Sequence, residues 1–174
     1  KHSTFDYLDP FHSNDIQPAL NDTKYWNKGD LFISLRNFSM IMLYRPSTNK
    51  VIWFKEGPWV HQHDVDIINE KEIAIFNNNL NLTKNKVLNS NNVLVFNFEN
   101  QSISNPYEKG FINNKIKTKT GGLSEILNNG DIFVEEENFG RVIRMDKKGN
   151  IVWQYINRAD DGKLYLVRWS RYLD

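Results

Sequence analysis

The stretch of sequence that decides the fold reads Gly-Asp-Leu-Phe-Ile-Ser-Leu-Arg-Asn at positions 29–37. Its first four residues recur as Gly-Asp-Ile-Phe at positions 130–133, 101 residues later. Each copy is a β-branched and aromatic run that follows a glycine-containing turn, and this composition predicts a β-strand. Further along each copy, Trp53 corresponds to Trp153, 100 residues later. Such a repeat predicts that the chain uses one structural unit several times.

A third and weaker copy lies midway between these two. Its strand-like runs are at 72–76 and 93–96, and they lead to Ile103, which is 51 residues after Ile52 and 49 before Val152. A period of about 50 residues with four short strands per unit is typical of the blades of a β-propeller. A β-sandwich of eight or more strands is the alternative, but a sandwich requires neither a fixed period nor a recurring tryptophan. We therefore predict an all-β, propeller fold.

The length of 174 residues limits the number of blades. At about 50 residues per blade the chain supplies about three to three and a half four-stranded blades, whereas propellers usually close with about four to eight. We expect approximate blades at 11–59, 60–104 and 120–158, with 163–174 as a closing strand. The remaining blades of a larger, six-bladed propeller would come from a missing N-terminal part or from another chain.

Composition excludes several classes of function. The 22 basic and 21 acidic residues leave a net charge of +1, and no lysine- or arginine-rich block suggests a nucleic-acid partner. The absence of cysteine excludes disulfides, cysteine-type zinc sites and thiol nucleophiles. The longest apolar run, 40–44, is far shorter than the roughly 20 residues of a membrane-spanning helix, so no membrane span is predicted.

Histidines recur when the segments that precede the repeats are aligned. In a propeller the first strand of each blade lines the central channel, so a side chain that recurs in these strands is a candidate channel residue. The alignment of 12–16 with 63–67 and 122–126 gives two columns, one of His12, His63 and Gly122 and one of Asp15, Asp66 and Glu125. His61 lies two residues before His63, and therefore on the same face of a regular strand.

Imidazoles beside a guanidinium suit the capture of an oxyanion such as sulfate or phosphate. A neutral imidazole can act as a nucleophile, a general base or a metal ligand, and its cation can act as an acid or an anion donor. Arg36, at the end of a predicted strand, is the candidate guanidinium. We predict no metal and no cofactor. The predicted catalytic residues are His12, His63 and Arg36, and the predicted substrate-binding residues are His61, Trp59 and Asn14, with Trp59 as the wall of an aromatic pocket.

Structural alternatives exist for each of these residues. A histidine in a strand can be a hydrogen-bonded structural residue. His61, His63 and Asp64, with His12 as a fourth ligand, could bind a metal ion, although the His-x-His spacing alone is unspecific. The recurring carboxylate could cap a turn by accepting backbone N–H groups. Trp53 and Trp153 are expected to pack between neighbouring blades.

Several motifs together resemble the arylsulfotransferase (ASST)-like propellers, specifically their C-terminal part. The segment at 29–37 looks like that family's Gly-Asp-strand-Ser-x-Arg segment. The further matching segments are Val-Ile-Trp at 51–53, Gly-Pro-Trp at 57–59, Gln-His-Asp at 62–64, the runs at 128–132 and 136–141, Gly-Asn-Ile-Val-Trp-Gln-Tyr at 149–155, and the closing run at 166–172. The order and spacing of these motifs make the resemblance fairly specific, and it extends from about Phe11 to Tyr172.

The resemblance implies a PAPS-independent sulfotransferase of bacterial origin. It also implies that the protein is periplasmic or secreted. In such enzymes a channel histidine takes sulfate from an aryl sulfate ester and passes it to a phenol, while other histidines and arginines stabilise the sulfuryl oxygens. Two successive displacements of this kind predict ping-pong kinetics. The residues that match motif positions are His12, Arg36 and His63. The resemblance does not indicate which imidazole is sulfated.

Two departures from the family pattern favour an alternative function. After Phe76 the family tends to have Asp-Asn-Gly, often followed by arginine, whereas this chain has three asparagines at 77–79 and no arginine beyond them. Gly122 occupies the column position where a third histidine would strengthen the prediction of catalysis. The alternative is a non-catalytic propeller that binds a ligand or a protein partner through its channel.

Overall fold

The computed structural model describes residues 9–173. Within them the strands form three four-stranded antiparallel sheets and one two-stranded hairpin. The first sheet contains β1 (Ser13–Pro18), β2 (Leu31–Leu35), β3 (Met40–Arg45) and β4 (Lys50–Glu56). The second contains β5 (Asp64–Asn69) and β6 (Glu72–Asn77), then, after the hairpin of β7 (Leu80–Asn81) and β8 (Lys86–Val87), β9 (Asn92–Asn97) and β10 (Ile103–Ser104). Helix α1 (Glu108–Asn113) precedes the third sheet, which contains β11 (Leu123–Ile126), β12 (Ile132–Glu136), β13 (Arg141–Met145) and β14 (Ile151–Ile156).

The repeated Gly-Asp pair has a structural explanation in both outer copies. Asp30, which is 1% exposed, precedes β2 and accepts two hydrogen bonds from Arg45 at the end of β3, from Nε at 2.8 Å and from Nη2 at 2.7 Å. Asp131 precedes β12 and accepts a bond from Nε of Arg144 at 2.9 Å. Bidentate arginine–carboxylate pairs of this type have a defined geometry as well as charge attraction. The repeat therefore encodes a cross-strand ion pair as well as a strand.

The sheets pack face to face through apolar side chains, as the blades of a propeller do. Between the first and second sheets, Trp53 stacks on Phe96 with ring centroids 5.3 Å apart, which confirms its expected packing between neighbouring blades. Between the second and third sheets, Ala74 and Phe76 of β6 join one buried cluster with Val134 of β12. The fold prediction is thus confirmed as an all-β arrangement of four-stranded antiparallel sheets.

The third sheet differs from expectation at its outward face. Trp153 is 38% exposed and contacts Phe133 of its own sheet instead of a neighbouring sheet. The predicted closing strand is also wrong, because no strand forms in the described part of 163–174, where Leu164 makes an isolated bridge to Arg158. This segment instead packs Val167 and Tyr172 on the third sheet. Across residues 9–173, no helix has the length and apolar character needed to cross a membrane.

The first strands of the three sheets lie next to one another and are joined by side chains. The carboxylate of Asp15 on β1 accepts the backbone N–H of Val65 on β5 at 3.0 Å. The carboxylate of Asp64 on β5 accepts the backbone N–H of Ser124 on β11 at 2.9 Å. Asp64 is therefore the structural counterpart of Asp15. The sequence alignment matched Asp15 with Asp66 instead, which lies two residues further along, and that match is wrong. The expectation that the carboxylate accepts backbone N–H groups holds, but the bond joins two sheets instead of capping a turn.

Candidate functional site

A cavity of about 540 Å³ lies where the three inner strands begin. His12 and Asn14 line it from the first sheet, and His63 lines it from the second. The third side is formed by Gly122 and by Trp169 of the C-terminal segment. The first three of these residues were predicted site residues, and the tertiary structure brings them together at one opening.

Backbone geometry at the start of β1 presents His12. Its φ of 48° lies in the left-handed region, and its carbonyl accepts the backbone N–H of Arg36 at 3.1 Å. The carboxylate of Asp9 lies 2.6 Å from Nδ1 of the His12 ring and also accepts the His12 backbone N–H at 2.9 Å. Because Nδ1 is held by Asp9, Nε2 is the ring nitrogen left for chemistry.

His63 is held by the second sheet. Its backbone N–H donates to the carbonyl of Phe76, and its Nδ1 lies 2.7 Å from Oδ1 of Asn78 and 3.2 Å from the carbonyl oxygen of His61. Burial lowers the pKa of His63 to about 4, and the positive charge of Arg36 lowers it further against the opposing effect of Asn78. The His63 imidazole is therefore neutral at physiological pH.

Arg36 and His61 complete a group that we call the imidazole cluster, consisting of His12, Arg36, His61 and His63. Burial, followed by the charges of Arg36 and His12, lowers the pKa of His61 to about 4. Arg36 follows the end of β2, and burial lowers its pKa while Asp9 raises it. Arg36 and His12 influence the pKa of both other imidazoles, but of the four side chains only His12 and His63 line the cavity of about 540 Å³.

Several polar atoms in and beside this cluster have no hydrogen-bond partner among the described residues. They are Nε of Arg36, Nδ1 of His61 and Oδ1 of Asn14, all of which are buried. Buried polar atoms in proteins are nearly always satisfied, so a group of unsatisfied ones marks a place where water or a ligand supplies the partner. The donors among them suit the oxygen atoms of an anion.

Other residues named by sequence analysis lie elsewhere or have other roles. Trp59 is fully buried in the core between the first and second sheets, so its prediction as an aromatic pocket wall is wrong. Asn14 sits in the bulge of β1, where its Nδ2 donates to the carbonyl of Gln62 at 2.9 Å. His61 has a left-handed φ of 54°, so the alternation of a regular strand does not apply to it.

Two further arrangements considered from sequence are not formed. Within residues 9–173, no group of three or more histidine, aspartate or glutamate side chains is placed to hold a metal ion. Gly122 has a φ of +89°, and a Cβ there would lie 2.8 Å from the side chains of Phe76 and Thr118. A third histidine therefore cannot occupy that position without displacing its neighbours.

Several residues at the site were not identified from sequence, among them Glu135, Glu137 and Arg168 of the cavity wall. Asp9 and Asn78 each face the Nδ1 atom of one histidine, and Trp169, 66% exposed with a left-handed φ of 58°, lies at the cavity. The only signal for Asn78 was its place in the run at 77–79, which departs from the family pattern. No local pattern marks Asp9 or Trp169, because their positions depend on the packing of distant segments.

A second cavity lies beside the first and shares Asp15 and Asp64 with it. Asp15, Asp64, Asp66 and Glu125 line this second cavity of about 460 Å³ together with Arg171. Burial and the charges of Asp15 and Glu125 raise the pKa of Asp66 to about 7, and burial raises the pKa of Asp64 well above its usual range. Carboxylates therefore line both cavities: the first also holds His12, His63 and Arg168, whereas no histidine is among the residues that line the second.

Solved structures with similar folds share little sequence with this chain. A protein of unknown function from Bacteroides caccae matches with a TM-score of 0.53 and 12% identity, over 77% of this chain and 47% of that one. Hydrazine synthase from Kuenenia stuttgartiensis matches with a TM-score of 0.52 and 14% identity, over 94% of this chain and 42% of that one. The match thus spans less than half the length of either, and the likeness concerns the fold alone.

Comparison at the level of sequence families is more specific. No curated protein matches this chain. The family model for arylsulfotransferase (ASST) matches residues 1–158, which include β1 to β14 and the whole imidazole cluster. This agrees with the resemblance seen in the repeated Gly-Asp segments and in the order of the later motifs. The chain belongs to the arylsulfotransferase (ASST) family.

Proposed function

We propose that this protein is a PAPS-independent sulfotransferase that moves sulfate from an aryl sulfate ester to a phenolic acceptor through a sulfo-histidine. The observation that carries the proposal is the imidazole cluster, in which the pKa values of His61 and His63 are about 4 and a guanidinium lies close by. A neutral imidazole at physiological pH has a lone pair available for attack on sulfur. The family membership supports the same chemistry.

Each side chain has a role that its surroundings allow. Arg36 has a buried Nε without a partner among the described residues, which can donate to a sulfuryl oxygen as negative charge builds up there. His61 can contact the same group through its buried Nδ1, which no described residue satisfies, when that nitrogen carries the ring proton. Trp169, exposed at the cavity, provides a flat apolar surface for an aromatic ring.

The donor assay with p-nitrophenyl sulfate and a phenol tests this proposal in the full-length protein. Wild-type protein is expected to release p-nitrophenol in excess of enzyme only when the acceptor is present, as ping-pong kinetics require. Arg36→Ala should lower kcat by about 10²–10³-fold, the usual cost of removing an oxyanion donor. Arg158→Ala is the matched control, since Arg158 lies in an exposed loop where it donates to the Gly162 carbonyl.

The double variant His12→Ala/His63→Ala gives the baseline for this assay. If wild-type protein releases no more p-nitrophenol than the double variant, the proposal is wrong. Tight binding of aryl sulfate without turnover would instead support the alternative of a non-catalytic, ligand-binding propeller. One reason for that alternative was the glycine at position 122, where a third histidine would have favoured catalysis. The steric requirement for glycine there gives the absence of histidine a structural explanation and so weakens the alternative.

The cellular setting belongs to the same proposal. Family resemblance suggests a bacterial protein that acts in the periplasm or is secreted. The remaining blades of a closed, six-bladed propeller would come from another part of the polypeptide or from another chain. Exposed apolar side chains on the outer strand of the first sheet, such as Ile52 and Phe54, support the presence of a further packing partner.

A further inference from the structure

The side chain of Asn78 is held in one orientation by its own donors. Asn78 is fully buried, and its Nδ2 donates to the carbonyl oxygens of Gly121 at 2.9 Å and Thr118 at 3.2 Å. A side-chain amide nitrogen is only a donor, so these two acceptors place Oδ1 on the opposite side, towards His63. Oδ1 then lies 2.7 Å from Nδ1 of His63 and can only accept.

This orientation determines the tautomer of the His63 ring. Both atoms that face Nδ1, namely Oδ1 of Asn78 and the carbonyl oxygen of His61, are acceptors. Nδ1 must therefore carry the proton, and in a neutral ring the lone pair must be on Nε2. The low pKa of His63, about 4, keeps the ring in this neutral form. Asn78 supplies an acceptor but no negative charge.

His12 differs from His63 in the group that faces Nδ1. Nδ1 of His12 lies 2.6 Å from the Asp9 carboxylate, whose negative charge can balance that of an imidazolium. The His12 side chain is 41% exposed, which allows proton exchange with solvent. His12 is thus equipped to carry a proton on Nε2 and to release it, whereas His63 is equipped to present a lone pair.

We propose that His63 Nε2 is the sulfate carrier, that Asn78 is the positioning residue that selects this nitrogen, and that His12, held by Asp9, is the proton donor and acceptor. This assignment rests on the proposed sulfotransferase function and deepens it. It explains why two histidines at one opening are not equivalent.

The reaction balances with these groups alone. The Nε2 lone pair of His63 forms a bond to sulfur while the bond between sulfur and the aryl oxygen breaks. The aryloxide leaves with that electron pair and takes the proton from His12, and Nδ1 of the sulfated ring keeps its proton on the side of Asn78. In the second step His12 removes the proton of the acceptor phenol, whose oxygen attacks sulfur, and the bond between nitrogen and sulfur breaks with its electrons returning to Nε2.

The tautomer is measured without any turnover. Long-range ¹H–¹⁵N correlation spectra of histidine-labelled full-length protein are expected to show His63 neutral, protonated on Nδ1, at about pH 7. Asn78→Leu should lose this preference and lower kcat about 10–100-fold, the usual cost of removing a partner that orients a histidine. Asn78→Asp keeps the acceptor and should recover part of kcat, with the acidic limb of the pH–rate profile moved to higher pH.

The matched control for Asn78 is Asn91→Leu. Asn91 is also fully buried, and its Nδ2 donates to the same Thr118 carbonyl and to the backbone oxygen of Asn78 instead of to the His63 ring. This control is expected to lower Tm without changing the His63 tautomer or the pH–rate profile. A merely structural role for Asn78 would make the two leucine variants alike in all three measurements.

The carrier and the proton donor are identified separately. After a quench with labelled aryl sulfate, His61→Gln and His12→Gln should keep labelled histidine, and His63→Gln should lose it. His12→Gln should slow transfer from phenyl sulfate, a poor leaving group, more than from p-nitrophenyl sulfate.

The outcomes separate the two proposals. Label on His12 or His61, or a His63 ring protonated on Nε2, would overturn this assignment while leaving the sulfotransferase function in place. Absence of both labelled histidine and turnover in wild-type protein would overturn the function itself. The tautomer spectrum decides the role of Asn78 in either case.

Discussion

Backbone conformation at single residues decides which side chains can enter the site. Gly122 has a φ of +89°, a value at which L-residues are strained, and a Cβ there would lie 3.0 Å or less from two side chains and a backbone oxygen. Asparagine takes the left-handed conformation at several other turns, including Asn49 and Asn79. Within the asparagine run at 77–79, Asn79 therefore adopts the left-handed backbone conformation of a turn, and Asn78 contacts the His63 ring.

Replacement of Gly122 by alanine tests this steric requirement. We expect Gly122→Ala to lower the free energy of unfolding by about 2–4 kcal/mol, because backbone strain and crowding of Phe76 and Thr118 add together. Gly162→Ala is the control, since Gly162 has a similar φ of +80° but no atom within 4 Å of the place that a Cβ would take. It should cost only about 1 kcal/mol. Urea unfolding of both variants measures the difference, and equal losses would contradict the crowding argument.

At the scale of elements, the inner strands are joined by carboxylates instead of continuous strand pairing. Asp15 bonds β1 to β5, and Asp64 bonds β5 to β11. Ser124, whose N–H is bound by Asp64, is 3% exposed, so this donor has no ready access to bulk water. A buried N–H without an acceptor costs more than the net value of one hydrogen bond. These bonds hold His12 and His63 at one opening.

A pair of substitutions at Asp64 isolates this hydrogen bond from the charge of the carboxylate. Asp64→Asn and Asp64→Leu both remove the charge, but only asparagine keeps an oxygen that can accept the Ser124 N–H. We expect the leucine variant to be less stable than the asparagine variant by about 1–3 kcal/mol in urea unfolding. Slower amide exchange at Ser124 in the asparagine variant is the local check. Equal stability of the two variants would show that the bond contributes nothing.

At the scale of the whole molecule, two neighbouring cavities differ in their ionisable side chains. His12, His63 and Arg168 line one cavity together with Glu135 and Glu137. Asp66 and Glu125 line the other, where Arg171 partly offsets them. Buried groups of like charge disfavour ionisation and shift pKa values accordingly.

Stability should depend on pH through Asp66. Its pKa in the folded protein is about 7, above the ordinary value of 3.8, so between these values the folded state binds more protons than the unfolded state. This group therefore lowers stability as pH rises from about 4 to 7. Asp66→Asn should raise Tm at about pH 8 by roughly 2–4 °C and change it little at about pH 4.

The control for this pH effect is Glu56→Gln, at an exposed carboxylate on β4. It should change Tm equally little at both pH values. A pH-independent effect of Asp66→Asn, measured by thermal unfolding in both buffers, would contradict the raised pKa of Asp66.

Strand content and the repeat could be predicted from the sequence because both depend on neighbouring residues. Alternation and turn residues are local properties, and the recurrence of Gly-Asp with tryptophan about 20 residues later revealed one unit used repeatedly. The same local reasoning misplaced Trp59. This residue was predicted to form a pocket wall because a proline precedes it and histidines follow it. Its burial depends on how two sheets pack, and no short segment records that.

What the sequence alone determined is the all-β repeat, the family and two histidines, His12 and His63, that line one cavity. The tertiary structure decided which nitrogen of each imidazole is available. His63 meets Asn78 only because β5 pairs with β6 in one register, and His12 meets Asp9 only because of a left-handed turn before β1. A tautomer depends on a hydrogen-bond partner within about 3 Å, and such a partner is set by strand register and packing instead of by residue type.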